Sequence, residues 1–430
     1  MKTAAIIAEY NPFHNGHEYL IGQVRELTGA DVVIVLMSGD FVQRGAPAVC
    51  DKNLRSKMAL SCGADIVFEL PVIYALGSAE LFADGAVRLL CALENVDYLC
   101  FGSECGDIDA LKEHASLIEE YAQTPAFKEE LSEKIKSGMS YPAAFGEITG
   151  KLSLKEANLS ESPNNLLGIE YIRALIRAGK SGKYASVPEP VTVKRTGDEH
   201  FETDISAMPS ATAVRKALKG GFSDIEQSVP AAVYKLISEN YNRLLPIDED
   251  DFNDMLFIKL NSMSDEELSS IPGINPDLLR KIMSFKGQQV NISDLILKAK
   301  SKCFTYTSIS RALFRILLEP YYSDAYKSIK ADSGSVNTNK TDVCNKNTNG
   351  DTEPKIPYLR LLGFKKDASA YLRDLRYSET CRIITKPADG NLSDPLYKLD
   401  IHAANIYSQV VSNKYRTGFT SELKTGPVMI

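Results

Sequence analysis

The 430-residue chain has no tryptophan and only five histidines. Its eight cysteines are scattered, and no two form a Cys-x-x-Cys pair. Zinc ribbons need tighter paired ligands, so no metal site is expected. The thiols read instead as small buried residues, reduced in a cytoplasmic setting. No run of about 18 apolar residues occurs, so no membrane span is expected. The opening "MKTAAIIAEYNPFHNG" has too short an apolar stretch for a secretory leader, and Glu9 and Asn11 follow it. Positive charge is also short. Against 56 acidic residues stand 49 Lys and Arg, for a net charge of −7. That argues against general coating of nucleic acid but leaves room for a local basic face.

What is present is ordinary for a globular protein: 44% hydrophobic and 24% charged residues. The length predicts two or three domains. Through the first hundred residues, apolar runs alternate with helical spacing. Buried strands are expected at 3–10, 31–39, 65–71 and 96–104, and helices at 17–30, 51–64 and 78–93. Strands this apolar, separated by helices, imply a parallel sheet covered on both faces. Ligands on such sheets bind beyond the carboxyl ends of the strands. Further on, "SPNNLLGIEYIRALIRAG" (162–179) starts with a capping Ser162 and Pro163 and stops at Gly179. "VTVKR" reads as a strand and "SATAVRKALKGG" (210–221) as a short basic helix. From about 222 to 328 the pattern is helical, and "SIPGINPDLLRKI" resembles a helix-hairpin-helix turn with Gly273 in the bend. Residues 331–354 have almost no hydrophobes and read as a disordered insertion.

Two of the five histidines, His14 and His17, fall in "NPFHNGH", where the first strand meets the first helix. Helix N-termini offer free N–H groups and partial positive charge, so phosphate binds there readily. Gly16 allows close approach. The imidazoles would donate to α-phosphate oxygens as charge builds on them, with Asn11 and Asn15 fixing the turn. The bland alternative makes one histidine a helix cap and the other a surface residue. A zinc pair would need i, i+4 spacing and further ligands.

"NPFHNGH" resembles the HxGH signature of the nucleotidyltransferase superfamily, and "SATAVR" approximates that superfamily's second signature, offering Ser210, Thr212 and Arg215 to pyrophosphate. Taken in order, "AEYNPFHNGH", "SGDFVQRGAPA", "FGSE", "SPNNLLGIEY", "VKR" and "SATAVRKAL" resemble the bacterial tRNA(Met) cytidine acetate ligases. The resemblance implies a Rossmann-like α/β parallel sheet over 1–221 that binds ATP, followed by a mostly helical tRNA-binding domain over 222–430. It implies activation of acetate as acetyl-adenylate and acetylation of N4 of the wobble cytidine in elongator tRNA(Met), with Mg2+ accompanying ATP. The implied ATP loop is Ile7, Ala8, Glu9, Tyr10, Asn11, Pro12, Phe13, His14, Asn15, Gly16, His17, Glu18, Tyr19 and Leu20. Gly102, Asn165, Lys194 and Arg195 complete the nucleotide site.

Other residues carry two readings. Asp40, beside Gly39 at a strand end, either takes a catalytic part with His14 and His17 or caps the next turn. Arg44 could contact substrate. Lys52, Arg55 and Lys57 either face phosphate or form a solvated helix face. Asn164 and Asn165 either cap a helix or contact the nucleotide. Basic residues from Lys216 to Arg376, Arg315 and Arg360 among them, are candidates for RNA contact, with Tyr358, Phe364 and Tyr371 as stacking partners. The competing functions are a small-molecule adenylyltransferase of the nicotinate mononucleotide or phosphopantetheine type, for which about 200 residues suffice, and a non-catalytic nucleotide-sensing RNA binder.

Overall fold

The structure is a computed structural model that describes residues 1–139, 141–152, 159, 162–195, 210–288, 290–331, 358–375, 377 and 381–430. The insertion expected at 331–354 lies, from 332 onward, outside the described residues, as do Lys355 and Arg376.

The apolar runs become the centre of one sheet. Strand β1 (Thr3–Ala8) pairs in parallel with β2 (Val32–Ser38) and with β6 (Tyr98–Ser103), while β2 pairs with β5 (Ile66–Leu70) and β6 with β7 (Glu189–Lys194). A short hairpin, β3 (Phe41–Val42) and β4 (Ala46–Pro47), follows β2. Along the sheet, β5–β2–β1–β6–β7 runs outward from β1 in both directions. The chain reverses between β1 and β6, and this is where a doubly wound sheet opens a crevice at its carboxyl edge. Helices α1 (Asn15–Thr28) and α2 (Lys52–Ser61) begin at that edge, as do the short α3 (Val72–Ala75) and α4 (Ala79–Cys91).

Between β6 and β7 lie α5 (Ile108–Tyr121), α6 (Pro125–Lys136), α7 (Tyr141–Gly150) and α8 (Pro163–Ser181). Helix α8 runs past the expected stop to Gly182, which closes it at φ +64°. Ser162 occupies its N-cap position without a side-chain cap bond. Helix α9 (Ala211–Gly220) follows. The expected helical stretch is α10 (Ala231–Asn240), α11 (Asn253–Ser262), α12 (Asp265–Ser270), α13 (Pro276–Met283), α14 (Ile292–Ala299), α15 (Tyr306–Leu317) and α16 (Tyr321–Ala331). The α12–α13 turn holds Gly273 at φ +83°.

The sheet does not stop at residue 221. β8 (Tyr358–Phe364) lies antiparallel on β5, and β9 (Arg382–Ile384) and β10 (Val428–Met429) lie parallel to β8. The expectation of a separate helical unit is corrected accordingly. A short apolar run such as "YLRLLGF" does not declare its period; here the free edge of β5 recruits it as a strand. Helix α17 (Ser369–Asp374) lies between β8 and β9 in the chain, and α18 (Pro395–Tyr415) between β9 and β10. The core is shared as well. Phe41 beside β2 packs on Phe252, Phe314 and Tyr407, ring centroids 5.8, 5.6 and 6.3 Å away.

Candidate nucleotide site

The two histidines do more than one bland role between them. His14 is the N-cap of α1, its Nδ1 accepting from Gly16 N at 3.1 Å. His17 reciprocates, its Nδ1 accepting from His14 N at 3.2 Å. They form a capping box built of imidazoles rather than Ser and Glu. The rings stack at 3.7 Å between centroids, and His17 rests on Tyr10 and Phe13. A Cβ on Gly16 would stand 3.1 Å from His14 Cε1, so this glycine makes room for the imidazole itself. Burial pushes His14 down to about 3, helped by Arg195 and Arg215. Burial, then His14 and Arg195, also lowers His17. Both rings are therefore neutral at pH 7. With each Nδ1 accepting, each ring proton sits on Nε2. Neither Nε2 has a hydrogen-bond partner among the described residues.

The loop before the box is held from both sides. Asn11 Oδ1 accepts from Val49 N at 2.7 Å, and Asn11 O accepts from Arg215 Nη1 at 2.7 Å. Asn15 Nδ2 donates to Gln227 O at 2.8 Å. Tyr10 adopts φ +46°, an uncommon conformation for a bulky residue. Arg215, in the first turns of α9, also donates to Thr212 Oγ1 at 3.1 Å. Burial and repulsion from Arg44 push it down to about 10, so it stays cationic at neutral pH. Ser210 caps α9 through Ala213 N.

Across the crevice, a Cβ on Gly102 would stand 3.3 Å from Arg195 Cγ, so Gly102 lets this arginine lie against β6. Lys194 ends β7 and is exposed. Asn165 is buried. Its Oδ1 accepts from Glu104 N and Cys105 N at 2.9 and 3.2 Å. Glu104 in turn caps α8, accepting from Asn164 Nδ2 at 2.7 Å and Asn165 N at 2.8 Å. The asparagine pair thus clamps the loop after β6.

The structure thus brings His14, His17, Asn11, Gly102, Arg195 and Arg215 to one edge. It places Asp40 elsewhere. Asp40 Oδ1 accepts from Lys52 N at 2.8 Å, and its charged neighbours are Lys52, Glu422, Arg55 and Asp51 rather than the imidazoles. Burial raises its carboxyl to about 7. It lines a cavity of about 400 Å³ with Asp51, Asn53 and Tyr407, and no residue of the 7–20 loop lines that cavity.

Lys52 and Arg55 follow neither of their expected readings. Both are buried. Lys52 Nζ lies 2.7 Å from both Glu69 Oε1 and Glu422 Oε1, and Arg360 joins the same two acids. Arg55 gathers backbone carbonyls at the ends of β1 and β2: Glu9 O at 2.7 Å, Ser38 O at 3.0 Å, Cys50 O at 3.0 Å and Gly39 O. No motif signalled this role; it requires the two strand ends side by side. Among the RNA candidates, Arg360, Tyr358 and Tyr371 are buried, the tyrosines bonding to Asp400 and Thr3. Arg315 is buried on Leu76 O and Pro272 O. Only surface residues such as Arg280, Lys298 and Lys300 stay accessible.

A β1–turn–α1 junction of this kind on a doubly wound sheet is what the nucleotidyltransferase class, given by the family match, requires. The family model described as HIGH Nucleotidyl Transferase matches residues 1–338 and 336–422. Two relatives carry one name. The tRNA(Met) cytidine acetate ligase of Clostridium perfringens (strain SM101) is 35% identical over 422 residues, 95% of each chain. That of Clostridium novyi (strain NT) is 32% identical over 437 residues, covering both chains fully. The crystal structures of Thermotoga maritima TmcAL, apo and bound with alpha-thio ATP, superpose with TM-scores of 0.83 and 0.81 at 27% identity over the full length of both chains. The chain belongs to the tRNA(Met) cytidine acetate ligase family.

Proposed function

We propose that this chain activates acetate with ATP and transfers the acetyl group to N4 of the wobble cytidine of elongator tRNA(Met). The observation that carries this is the pair of neutral imidazoles with free Nε2–H groups at a helix N-terminus, flanked by Arg195 and Arg215. Acetate oxygen attacks the α-phosphorus, the bond to the β-phosphate oxygen breaks, and pyrophosphate leaves. His14 and His17 donate to the α-phosphate oxygens as charge builds there, each such donor worth about 3–4 kcal/mol of barrier. Arg195, Lys194 and Arg215 offset phosphate charge. Cytidine N4 then attacks the acetyl carbon, the bond to AMP breaks, and the amine loses a proton. Among the described residues no cluster of three or more His, Cys, Asp and Glu is placed to hold a metal, so Mg2+ would arrive on the nucleotide's phosphates.

Arg280, Lys298 and Lys300 supply basic surface for the tRNA. No helix among the described residues is long and apolar enough to cross a membrane. Labelled acetate, ATP and bulk bacterial tRNA provide the test. Label should enter tRNA only when ATP is present. Transfer of AMP to a mononucleotide, with tRNA irrelevant, would overturn the reading.

A further inference from the structure

The turn of the β3–β4 hairpin, Gln43–Arg44–Gly45, is bonded directly to the start of the nucleotide loop. Gln43 N donates to Glu9 Oε1 at 2.8 Å, and Glu9 immediately follows β1. Helix α15 braces the turn from the opposite side. Ser310 Oγ donates to Gly45 O at 2.5 Å, and Arg311 Nη1 donates to Gln43 O at 3.5 Å. The packing is close: a Cβ on Gly45 would stand 2.5 Å from Arg311 N, and Gly45 adopts φ +76°. Here glycine is required both by contact and by conformation.

Between these anchors Arg44 is exposed, and its guanidinium makes no hydrogen bond or ion pair among the described residues. It sits close enough to Arg215 to repel it. The carboxylates that offset Arg215, Glu9 and Glu249, already accept from Gln43 N and Tyr306 OH. Two guanidiniums near one another beside the loop that follows β1, one of them without a hydrogen bond or ion pair among the described residues, make a receptor for a multiply charged anion.

We propose that Arg44 is a further catalytic residue, contacting the β- and γ-phosphates of bound ATP opposite Arg215. The assignment rests on the ATP-dependent reading above. As the bond between the α-phosphorus and its bridging oxygen breaks, the electron pair leaves with pyrophosphate, and Arg44 neutralises the charge that collects there. Because α15 holds the turn, the helical half of the chain takes part in placing this contact.

Calorimetric titration of the full-length protein with ATP, inorganic pyrophosphate and AMP tests the assignment. Arg44→Ala should weaken pyrophosphate and ATP on the order of 10- to 100-fold while AMP changes less than about twofold. Arg44→Lys should recover part of the loss, since it restores charge without the fork. Unchanged pyrophosphate affinity, or an equal loss for AMP, would overturn the proposal. So would a defect confined to tRNA binding. Selective phosphate losses in a protein that never forms acetyl-adenylate would uphold Arg44 and sink the acetate reading instead.

Discussion

Replacing His14 by asparagine separates two duties that the imidazole combines. As N-cap, His14 accepts from Gly16 N and offers its own N–H to His17. Asparagine is among the best N-cap residues, so His14→Asn should leave folding stability within about 0.5 kcal/mol, whereas His14→Ala should cost about 0.5–2 kcal/mol. Both variants lose the Nε2–H. Removing one preorganised donor typically lowers the rate about 10²- to 10³-fold, so acetate-dependent ATP–pyrophosphate exchange should fall by that factor in both. Urea denaturation followed by circular dichroism supplies the stability, and exchange kinetics the rate. The pH dependence adds an independent check. Burial holds His14 at about 3, below its ordinary 6.5. The unfolded chain therefore binds more protons than the folded one between those values. Stability from keeping this ring neutral is complete above about pH 6.5 and is lost as pH falls toward 3. In the asparagine variant the decline between pH 6.5 and 4 should be shallower, with His17 still contributing. Wild-type exchange in a stable asparagine variant would refute the phosphate role and reduce the histidine to a cap.

Arg360→Met should destabilise the protein by about 3–5 kcal/mol, because Glu69 and Glu422 would be left buried with only Lys52 to share; a urea midpoint near wild type would show that this network carries little. Gly45→Ala forces a Cβ into the Arg311 backbone at φ +76°. It should cost about 1–3 kcal/mol and weaken pyrophosphate more than AMP in the same titrations, whereas equal effects on both ligands would detach the hairpin from the phosphates.

Much of the sheet was legible because each central strand is a long apolar run set between helices, a pattern with few other solutions. The N-terminal histidine motif was legible for a related reason: strand, turn and helix lie consecutively, so local sequence specifies their geometry. The same locality predicted the short helix that starts at Ser210 and the glycine bend at 273. Misreadings cluster where partners are distant in the chain. Lys52 looks like a surface lysine until Glu69 and Glu422 meet it from β5 and from the chain beyond α18. Arg360 looks like an RNA contact until β8 closes the edge of β5. Asp40 looks like a companion to the histidines until Lys52 claims it.

Sequence by itself therefore determined the order of elements, the strand–turn–helix junction after β1 and the two histidines at it, since these depend on neighbours within a few positions. Tertiary structure alone decided which charges are buried together, that the C-terminal strands complete the N-terminal sheet, and that α15 holds Arg44 beside the loop. A long-range pair leaves no periodic trace in either of its segments; only the folded chain brings the two halves within bonding distance.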